Sequence, residues 1–175
     1  MVIVSPDART TAAYRWGSLT LWAAAAGIAT ALAFEHLAGF APCPLCLQQR
    51  YVYYAGIPAL FLALVLLTAG RPRDGGLIFL LMSFAFLANA MLGAYHAGAE
   101  WQFWPGPDTC AGGGAPLPTA GGVLNSIGKA QVVRCDQAMG RFLGLSFAGW
   151  NVVLSVALCI GALKAAFGNH ETRDP

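Results

Sequence analysis

Long apolar stretches separated by short polar segments dominate the pattern of this chain. Four stretches lack Asp, Glu, Lys and Arg and hold 19 or more residues each: 16–34, 51–70, 75–99 and 142–163. A helix needs about 20 apolar residues to cross the ~30 Å hydrocarbon core of a bilayer. Because none of the stretches alternates polar and apolar residues, they indicate helices and not barrel strands. The pattern predicts an all-α membrane protein, a four-transmembrane-helix bundle with spans at about 16–36, 47–69, 76–96 and 142–164.

The composition agrees with this fold class. The chain is 57% hydrophobic and 10% charged, against about 25% charged residues in an ordinary soluble domain. Because lipid surrounds the spans, a chain of 175 residues needs no separate soluble core. We therefore interpret residues 1–175 as a single integral membrane domain. The net charge of +2 is too small to indicate binding to nucleic acid.

Positive charge is distributed unevenly between the predicted spans. The segment 35–48 contains no Lys or Arg, whereas basic residues lie before the first span, between the second and third, and after the fourth: Arg9, Arg15, Arg71, Arg73, Lys164 and Arg173. Loops rich in Lys and Arg stay on the cytoplasmic side of a membrane. We therefore expect both termini and the turn at 70–76 in the cytoplasm. Two loops, at about 37–46 and 97–141, then face outward.

The first apolar stretch has a second interpretation, as a cleaved signal peptide. Arg9 and Arg15 would form its positive n-region, and the run Ala31-Leu32-Ala33 resembles a cleavage site. Cleavage would leave three spans. The stretch is long for a signal peptide and its loss would upset the charge balance, so we favour four spans.

The second outward loop is rich in Gly and Pro between residues 97 and 122, which disfavours regular structure there. Beyond it, apolar residues recur at helical spacing with polar residues between them: Val123, Leu124, Ile127, Ala130 and Val133. A short amphipathic helix on the membrane surface fits this spacing. An irregular loop with chance spacing fits it equally well.

Five cysteines carry the candidate chemistry: Cys43, Cys46, Cys110, Cys135 and Cys159. The first four lie in the two outward loops and share the oxidising side of the membrane. A disulfide across the CxxC of Cys43 and Cys46 restricts little chain entropy, so this pair indicates redox chemistry and not a structural staple. The pair Cys110 and Cys135 fits a staple for a long loop or a second redox pair, and we favour the latter. Cys159 fits a small apolar helix residue.

Other kinds of site agree less well with these residues. Structural zinc sites favour two close cysteine pairs, and Cys110 and Cys135 are far apart in sequence. Leu47 follows the CxxC where a c-type haem site requires histidine. His36 and His96 lie at outward ends of spans, which is thin evidence for b-type haem. A non-enzymatic membrane protein with stapled outer loops stays an alternative.

Arg50 lies four residues after Cys46, at the start of the second span. If this helix begins at Pro44, a favoured first-turn residue, Cys46 lies in the first turn and shares a face with Arg50. The helix dipole and the guanidinium would both favour a Cys46 thiolate. The alternative is an ion pair of Arg50 with Glu35 or Glu100.

One histidine and two asparagines lie within the third and fourth apolar stretches. His96, at the outward end of the third span, could donate a hydrogen bond to an electron acceptor dissolved in the lipid, or it is an interfacial histidine with a satisfied ring. We expect Asn89 and Asn151, within the spans, to form hydrogen bonds between helices.

The chain resembles the DsbB family of bacterial inner-membrane disulfide-generating proteins. The likeness rests on the run Cys43-Pro44-Leu45-Cys46-Leu47-Gln48-Gln49-Arg50, on Tyr95-His96, on Cys110 after the Pro-rich loop, and on Cys135-Asp136 followed by Arg141-Phe142-Leu143-Gly144-Leu145. It covers the chain from the first span to the fourth. Gln49 stands where some members have Glu, and Met139-Gly140 precedes Arg141 where an aromatic is common.

The resemblance implies a protein dithiol:quinone oxidoreductase of the inner membrane. Cys110 and Cys135 would take electrons from a periplasmic DsbA-like thiol oxidase, and Cys43 and Cys46 would pass them to ubiquinone or menaquinone. Arg50 and His96 would flank the quinone. A vitamin K epoxide reductase-like enzyme running in the reverse direction stays an alternative, since spacing does not give the direction of electron flow. In that family, however, the CxxC normally follows the loop pair.

Overall fold

The computed structural model describes residues 12–106, 135–136, 138 and 140–168. These residues form four long helices: α1 (Ala12–Ala38), α2 (Pro44–Thr68), α3 (Pro72–Glu100) and α4 (Phe147–Phe167). Each is long and apolar enough to cross a membrane. The predicted four-helix membrane bundle is confirmed. Cys110 and the helix expected within 123–133 lie outside the described residues.

The helices pack in chain order around the bundle, each against the next, and α4 closes the ring by packing on α1. Its centre holds large side chains that are fully buried, such as Leu60, Phe79 and Phe86. The outer surface is also apolar: Phe84 is 60% exposed and Met91 is 69% exposed. Such exposure is expected where lipid, and not water, contacts the helices.

Small residues allow the helices to approach closely, as is common between membrane helices. A Cβ atom added to Gly161 of α4 would lie 2.3 Å from Thr20 Oγ1 of α1. One added to Gly17 would lie 2.5 Å from the Phe79 ring on α3. The helix α1 is therefore part of the packed bundle, in agreement with a fourth structural span.

The connection between α2 and α3 is a tight turn of the kind that ends many helices. Gly70 has a φ of 75°, which L-residues with a side chain rarely adopt. The amide of Arg71 donates to the Leu66 carbonyl and that of Gly70 to the Leu67 carbonyl, as in a Schellman motif. The chain reverses here over a few residues, so α2 and α3 run antiparallel.

The fourth helix begins at Phe147 and not near 142 as predicted. Strand β1 (Arg141–Phe142) pairs with β2 (Leu145–Ser146) in an antiparallel hairpin. Its turn residues, Leu143 and Gly144, have φ values of 52° and 84°, which match a type I′ turn and exclude helix. Ser146 then caps α4, because its Oγ accepts from the Gly149 amide at 3.2 Å. The third helix also runs on to Glu100, so the second outward loop begins later than 97.

Candidate functional site

The CxxC lies at one end of the bundle, where the α1–α2 connection joins the start of α2. Phe34, Phe40 and Phe147 pack edge-on around this connection, with ring centroids 5.0 to 6.1 Å apart. Cys43 is the N-cap of α2: its Sγ accepts from the Cys46 amide at 3.2 Å. The helix begins at Pro44 as predicted. Cys43 and Cys46 are free thiols whose Sγ atoms lie 2.7 Å apart.

Two further groups meet the CxxC from other parts of the chain. His96 Nε2, on α3, lies 3.6 Å from Cys43 Sγ. Cys135 is the second group: its Sγ atom, Cys43 Sγ and a ring nitrogen of His96 all lie within 4.8 Å of one another. Cys43 and Cys135 are 3% and 1% exposed, whereas Cys46 is only partly buried. The structure therefore brings together three of the four predicted cysteines and His96.

Cys135 forms a disulfide, and its partner is none of the three free thiols, Cys43, Cys46 and Cys159. A disulfide sulfur is not a thiolate, so the close donor atoms do not make a metal site in this state. The cluster instead places a disulfide beside a dithiol, the arrangement that thiol–disulfide exchange requires. The predicted pairing of Cys135 with Cys110 stays a prediction, because Cys110 lies outside the described residues.

The ionised thiol favoured by the structure is Cys43 and not Cys46. The hydrogen bond with the Cys46 side chain, and after it the contact with His96, outweigh the effect of burial and together lower the pKa of Cys43 to about 5. The expectation of a thiolate at Cys46 considered only the helix dipole and Arg50. It omitted the two groups that donate to the N-cap sulfur, one of which comes from α3. These contacts favour a thiolate at Cys43, and the thiolate expected at Cys46 stays a prediction.

Arg50 forms an ion pair with Glu35 near the end of α1. Their side chains are 13% and 24% exposed. This is one of the two partners considered from the sequence, and it fastens α2 to α1. The side chains of Leu47 and Tyr51, which neighbour Arg50 on α2, are exposed. This side of α2 therefore faces lipid. A quinone role for Arg50 stays a prediction.

A chain of buried hydrogen bonds runs inward from His96 across three helices. Gln49 Nε2 lies 3.1 Å from His96 Nδ1, and Asn151 Nδ2 donates to Gln49 Oε1 at 2.7 Å. The Tyr53 hydroxyl donates to Asn151 Oδ1 at 2.7 Å. Asn89 on α3 donates to Ser155 Oγ on α4 at 3.0 Å. Both asparagines thus form the interhelical hydrogen bonds expected of them.

Glu100 was assigned no role in the site by the sequence, beyond being a possible partner of Arg50. Its side chain is 6% exposed, and Oε1 lies 3.7 Å from His96 Nε2. Its other oxygen, Oε2, is buried and has no hydrogen-bond partner among the described residues. Gln49 was likewise not predicted as a site residue. Polar residues spaced four apart within apolar helices, such as His96 and Glu100, are the signal that would have found them.

The remaining candidates lie away from this site. Cys159 is 9% exposed and belongs to the apolar core of the bundle, as expected of a small helix residue. His36 is exposed on α1, whereas His96 is 2% exposed and has neighbours at both ring nitrogens. The two histidines do not form a matched pair of haem ligands.

Curated proteins named disulfide bond formation protein B are similar to this chain over most of its length. A disulfide bond formation protein B of Xanthomonas campestris pv. campestris is 30% identical over 173 residues, which cover 91% of this chain and 96% of the relative. The protein of the same name from Herminiimonas arsenicoxydans is 28% identical over 148 residues, or 80% of this chain and 86% of the relative. No solved structure gives a significant match.

The model of the family described as "Disulfide bond formation protein DsbB" matches residues 14–165. This match includes most of α1, the CxxC, the long segment between α3 and α4, and most of α4. A membrane protein with four spanning helices and a dithiol beside a disulfide agrees with that description. The chain belongs to the DsbB family of membrane disulfide bond formation proteins.

Proposed function

We propose that this protein is a protein dithiol:quinone oxidoreductase that generates disulfides. One observation supports this most strongly: Cys43 Sγ lies 2.7 Å from Cys46 Sγ and within 4.8 Å of Cys135 Sγ. The order Cys135, Cys43, Cys46 runs from a buried disulfide to a thiol at the lipid-facing side of α2. It is the order in which electrons would pass from an outer loop to the membrane.

Each step of this relay is a thiol–disulfide exchange that conserves electrons. A partner dithiol attacks the disulfide of Cys135, leaves as a disulfide, and leaves Cys135 as a thiolate. Cys135 then attacks an oxidised Cys43–Cys46 disulfide at Cys43 and releases the Cys46 thiolate. The other thiol of the reduced loop pair then attacks Cys135, which restores the loop disulfide, releases Cys43 and leaves Cys43 and Cys46 as thiols.

A membrane quinone, ubiquinone or menaquinone, would accept two electrons and two protons from Cys43 and Cys46 and restore their disulfide. Cys46 is the partly exposed member of the pair, and Arg50 lies one helical turn further along the same helix. The exposed apolar side chains of Leu47 and Tyr51 beside them suit a lipid-soluble ring. These residues fit such a group, with Arg50 and His96 as the polar groups near it.

The partner that we propose is a periplasmic DsbA-like dithiol oxidase. Oxidases of the DsbA type, the established partners of this family, have reduction potentials of about −120 mV, so their reoxidation requires a strongly oxidising acceptor such as a quinone. We place the protein in the bacterial inner membrane with both termini cytoplasmic and Cys43 facing the periplasm. Membership of the DsbB family favours disulfide formation over the reverse, reductase direction.

The test uses the purified full chain in detergent with a quinone and a reduced thioredoxin-like dithiol protein. Quinone reduction and partner oxidation are measured together. Cys46→Ser should abolish quinone reduction, and Cys110→Ser should abolish partner oxidation while the Cys43/Cys46 dithiol still reduces quinone. Cys159→Ala is the matched control and should retain both activities.

Two results would contradict the proposal. Full activity in Cys46→Ser would exclude the relay to quinone, and electron flow only from quinol to the partner disulfide would favour a reductase. A chain that shows no exchange in either direction would indicate a non-enzymatic protein with stapled loops.

A further inference from the structure

The hydrogen bonds behind His96 have a consistent direction. Starting from the bundle interior, the Tyr53 hydroxyl donates to Asn151, the Asn151 amide nitrogen donates to Gln49 Oε1, and the Gln49 amide nitrogen faces His96 Nδ1 at 3.1 Å. An amide NH₂ group is a donor only. His96 Nδ1 must therefore accept, and the proton of the neutral imidazole lies on Nε2.

The inner end of the chain agrees with this orientation of the amides. Asn89 Nδ2 lies 3.5 Å from Asn151 Oδ1 and donates to Ser155 Oγ at 3.0 Å. With Asn89 placed in this way, Asn151 Oδ1 accepts from Tyr53 and the Asn151 amide nitrogen is directed at Gln49. The orientation of Asn151 thus fixes that of Gln49, whose carbonyl oxygen must face Asn151.

The other ring nitrogen faces groups that accept hydrogen bonds. Nε2 of His96 lies 3.6 Å from Cys43 Sγ and 3.7 Å from Glu100 Oε1. A thiolate and a carboxylate are both acceptors, which agrees with a proton on Nε2. The two sides of the ring therefore require the same tautomer, although their neighbours come from different helices.

We propose that Gln49 is a positioning residue that holds His96 in its Nε2-protonated tautomer, with this N–H directed at the Cys43 sulfur. Gln49 does not touch the sulfur and acts only through the ring. The inference deepens the proposed function, since it concerns how Cys43 is ionised for exchange. It does not depend on quinone or partner, because the tautomer can be measured without either.

Several charged or titratable groups surround the imidazole and must be considered with it. Cys46, on α2, contacts Cys43. Glu100, on α3, lies near the same ring nitrogen, Nε2, as Cys43 does. The charge of Arg141, in the hairpin, favours the ionised form of Glu100. On α1, Glu35 is engaged by Arg50. None of these groups faces Nδ1, so the tautomer depends on Gln49.

The experiment is nitrogen NMR of the reduced full chain at mildly alkaline pH, with labelled histidine and with His36→Gln and His170→Gln to leave His96 alone. In the otherwise unchanged protein, Nδ1 should carry no proton and Nε2 should carry one. In Gln49→Glu, the carboxylate accepts where the amide donated, so the proton should appear on Nδ1. A proton on Nδ1 before any change at Gln49 would overturn the inference, and this measurement needs no Gln49 variant to fold.

A second readout follows the ultraviolet absorbance of the Cys43 thiolate against pH. Gln49→Leu removes the donor to Nδ1 and should move the Cys43 transition upward by about one pH unit, a tenfold change in ionisation. Gln48→Leu, at the exposed neighbouring position, is the matched control and should leave it in place. Equal titrations for the two variants would contradict a positioning role, whereas loss of quinone reduction alone would bear only on the proposed function.

Discussion

At the scale of single residues, the site depends on a sulfur that is both a helix cap and a redox group. The Cys43 sulfur accepts a hydrogen bond from the Cys46 amide, contacts the Cys46 thiol and faces the His96 ring. Hydrogen bonds to an ionised sulfur stabilise the charged form, while burial opposes it. Here the hydrogen bonds exceed the cost of burial, and the pKa of Cys43 falls from an ordinary value of 9.0 to about 5.

This ionisation gives a prediction for the reduced protein. Because the pKa is lowered in the folded state, the thiolate should form above pH about 5 and be lost as the pH falls through that value. Cys46→Ala removes the largest cause and should raise the transition by more than one pH unit, or more than about tenfold in ionisation. His96→Ala should raise it by less. Thiolate absorbance against pH is the measurement, and a larger effect of His96→Ala would reverse the assigned order.

The Arg50–Glu35 ion pair allows a structural role to be separated from a quinone role. Arg50→Gln and Glu35→Gln both break the pair. If Arg50 also binds quinone, only Arg50→Gln should raise the half-saturating quinone concentration, by about tenfold or more, the typical effect of losing a hydrogen bond to a charged group. Both variants should lower the melting temperature alike. An equal rise in both would leave Arg50 with the ion pair alone.

At the scale of secondary-structure elements, the site is held by three helices that approach closely through small residues. Helices α1 and α4 lie especially close together where Gly161 of α4 faces Thr20 of α1. The Thr20 hydroxyl donates to the Trp16 carbonyl of its own helix at 2.8 Å, so it does not move aside freely. This interface sets the spacing of α1 and α4 and, through them, of the Phe34–Phe147 contact beside the CxxC.

Gly161→Ala should therefore destabilise the bundle. The added Cβ would lie 2.3 Å from Thr20 Oγ1, and overpacking of this kind costs about 1–3 kcal/mol. Adding Thr20→Ala removes the clashing atom, so the double variant should recover most of the lost stability. Thermal unfolding in detergent, arranged as a double-mutant cycle, measures this coupling. Additive effects would show that the two residues do not limit the approach of the helices.

The helices could be predicted from sequence because length and hydropathy alone define them, and the start of α2 followed from Pro44. The relative rotation of the helices could not, because all four present apolar residues on every side and exposed faces resemble buried ones. For that reason Gln49 was noted only for its departure from the family pattern. The ionised thiol was assigned to Cys46 for the same reason, since His96 reaches Cys43 from a different helix.

At the scale of the whole molecule, the bundle has two chemically different ends. One end carries the cysteines, His96 and an aromatic surface that includes the exposed Trp101 and Phe103. The other end carries the α2–α3 turn, where Arg71 and Asp74 form an exposed ion pair at 2.7 Å. Positively charged turns stay in the cytoplasm. Because the helices run antiparallel, we therefore expect the cysteine end on the outer side.

The corresponding prediction concerns orientation. Reporter tags at both termini and in the turn at 71–74 should be cytoplasmic, whereas a membrane-impermeant thiol reagent applied from outside should label Cys46 of the reduced protein. Cys159, in the core of α4, is the control and should stay unlabelled. An external report from the turn at 71–74 would reverse the topology and remove the cysteines from the oxidising compartment.

The polar chain from His96 to Asn89 also constrains how the protein is made. Gln49 and Tyr53 on α2 are satisfied by Asn151 on α4, and α4 is synthesised last. Until it enters the membrane, these groups lack their partners in lipid, where unsatisfied polar groups are costly. A nascent chain that stops after α3 therefore has the sulfurs and His96 but lacks the partner that orders Gln49 and Tyr53. Completion of the polypeptide is thus coupled to the final positioning of the groups behind His96.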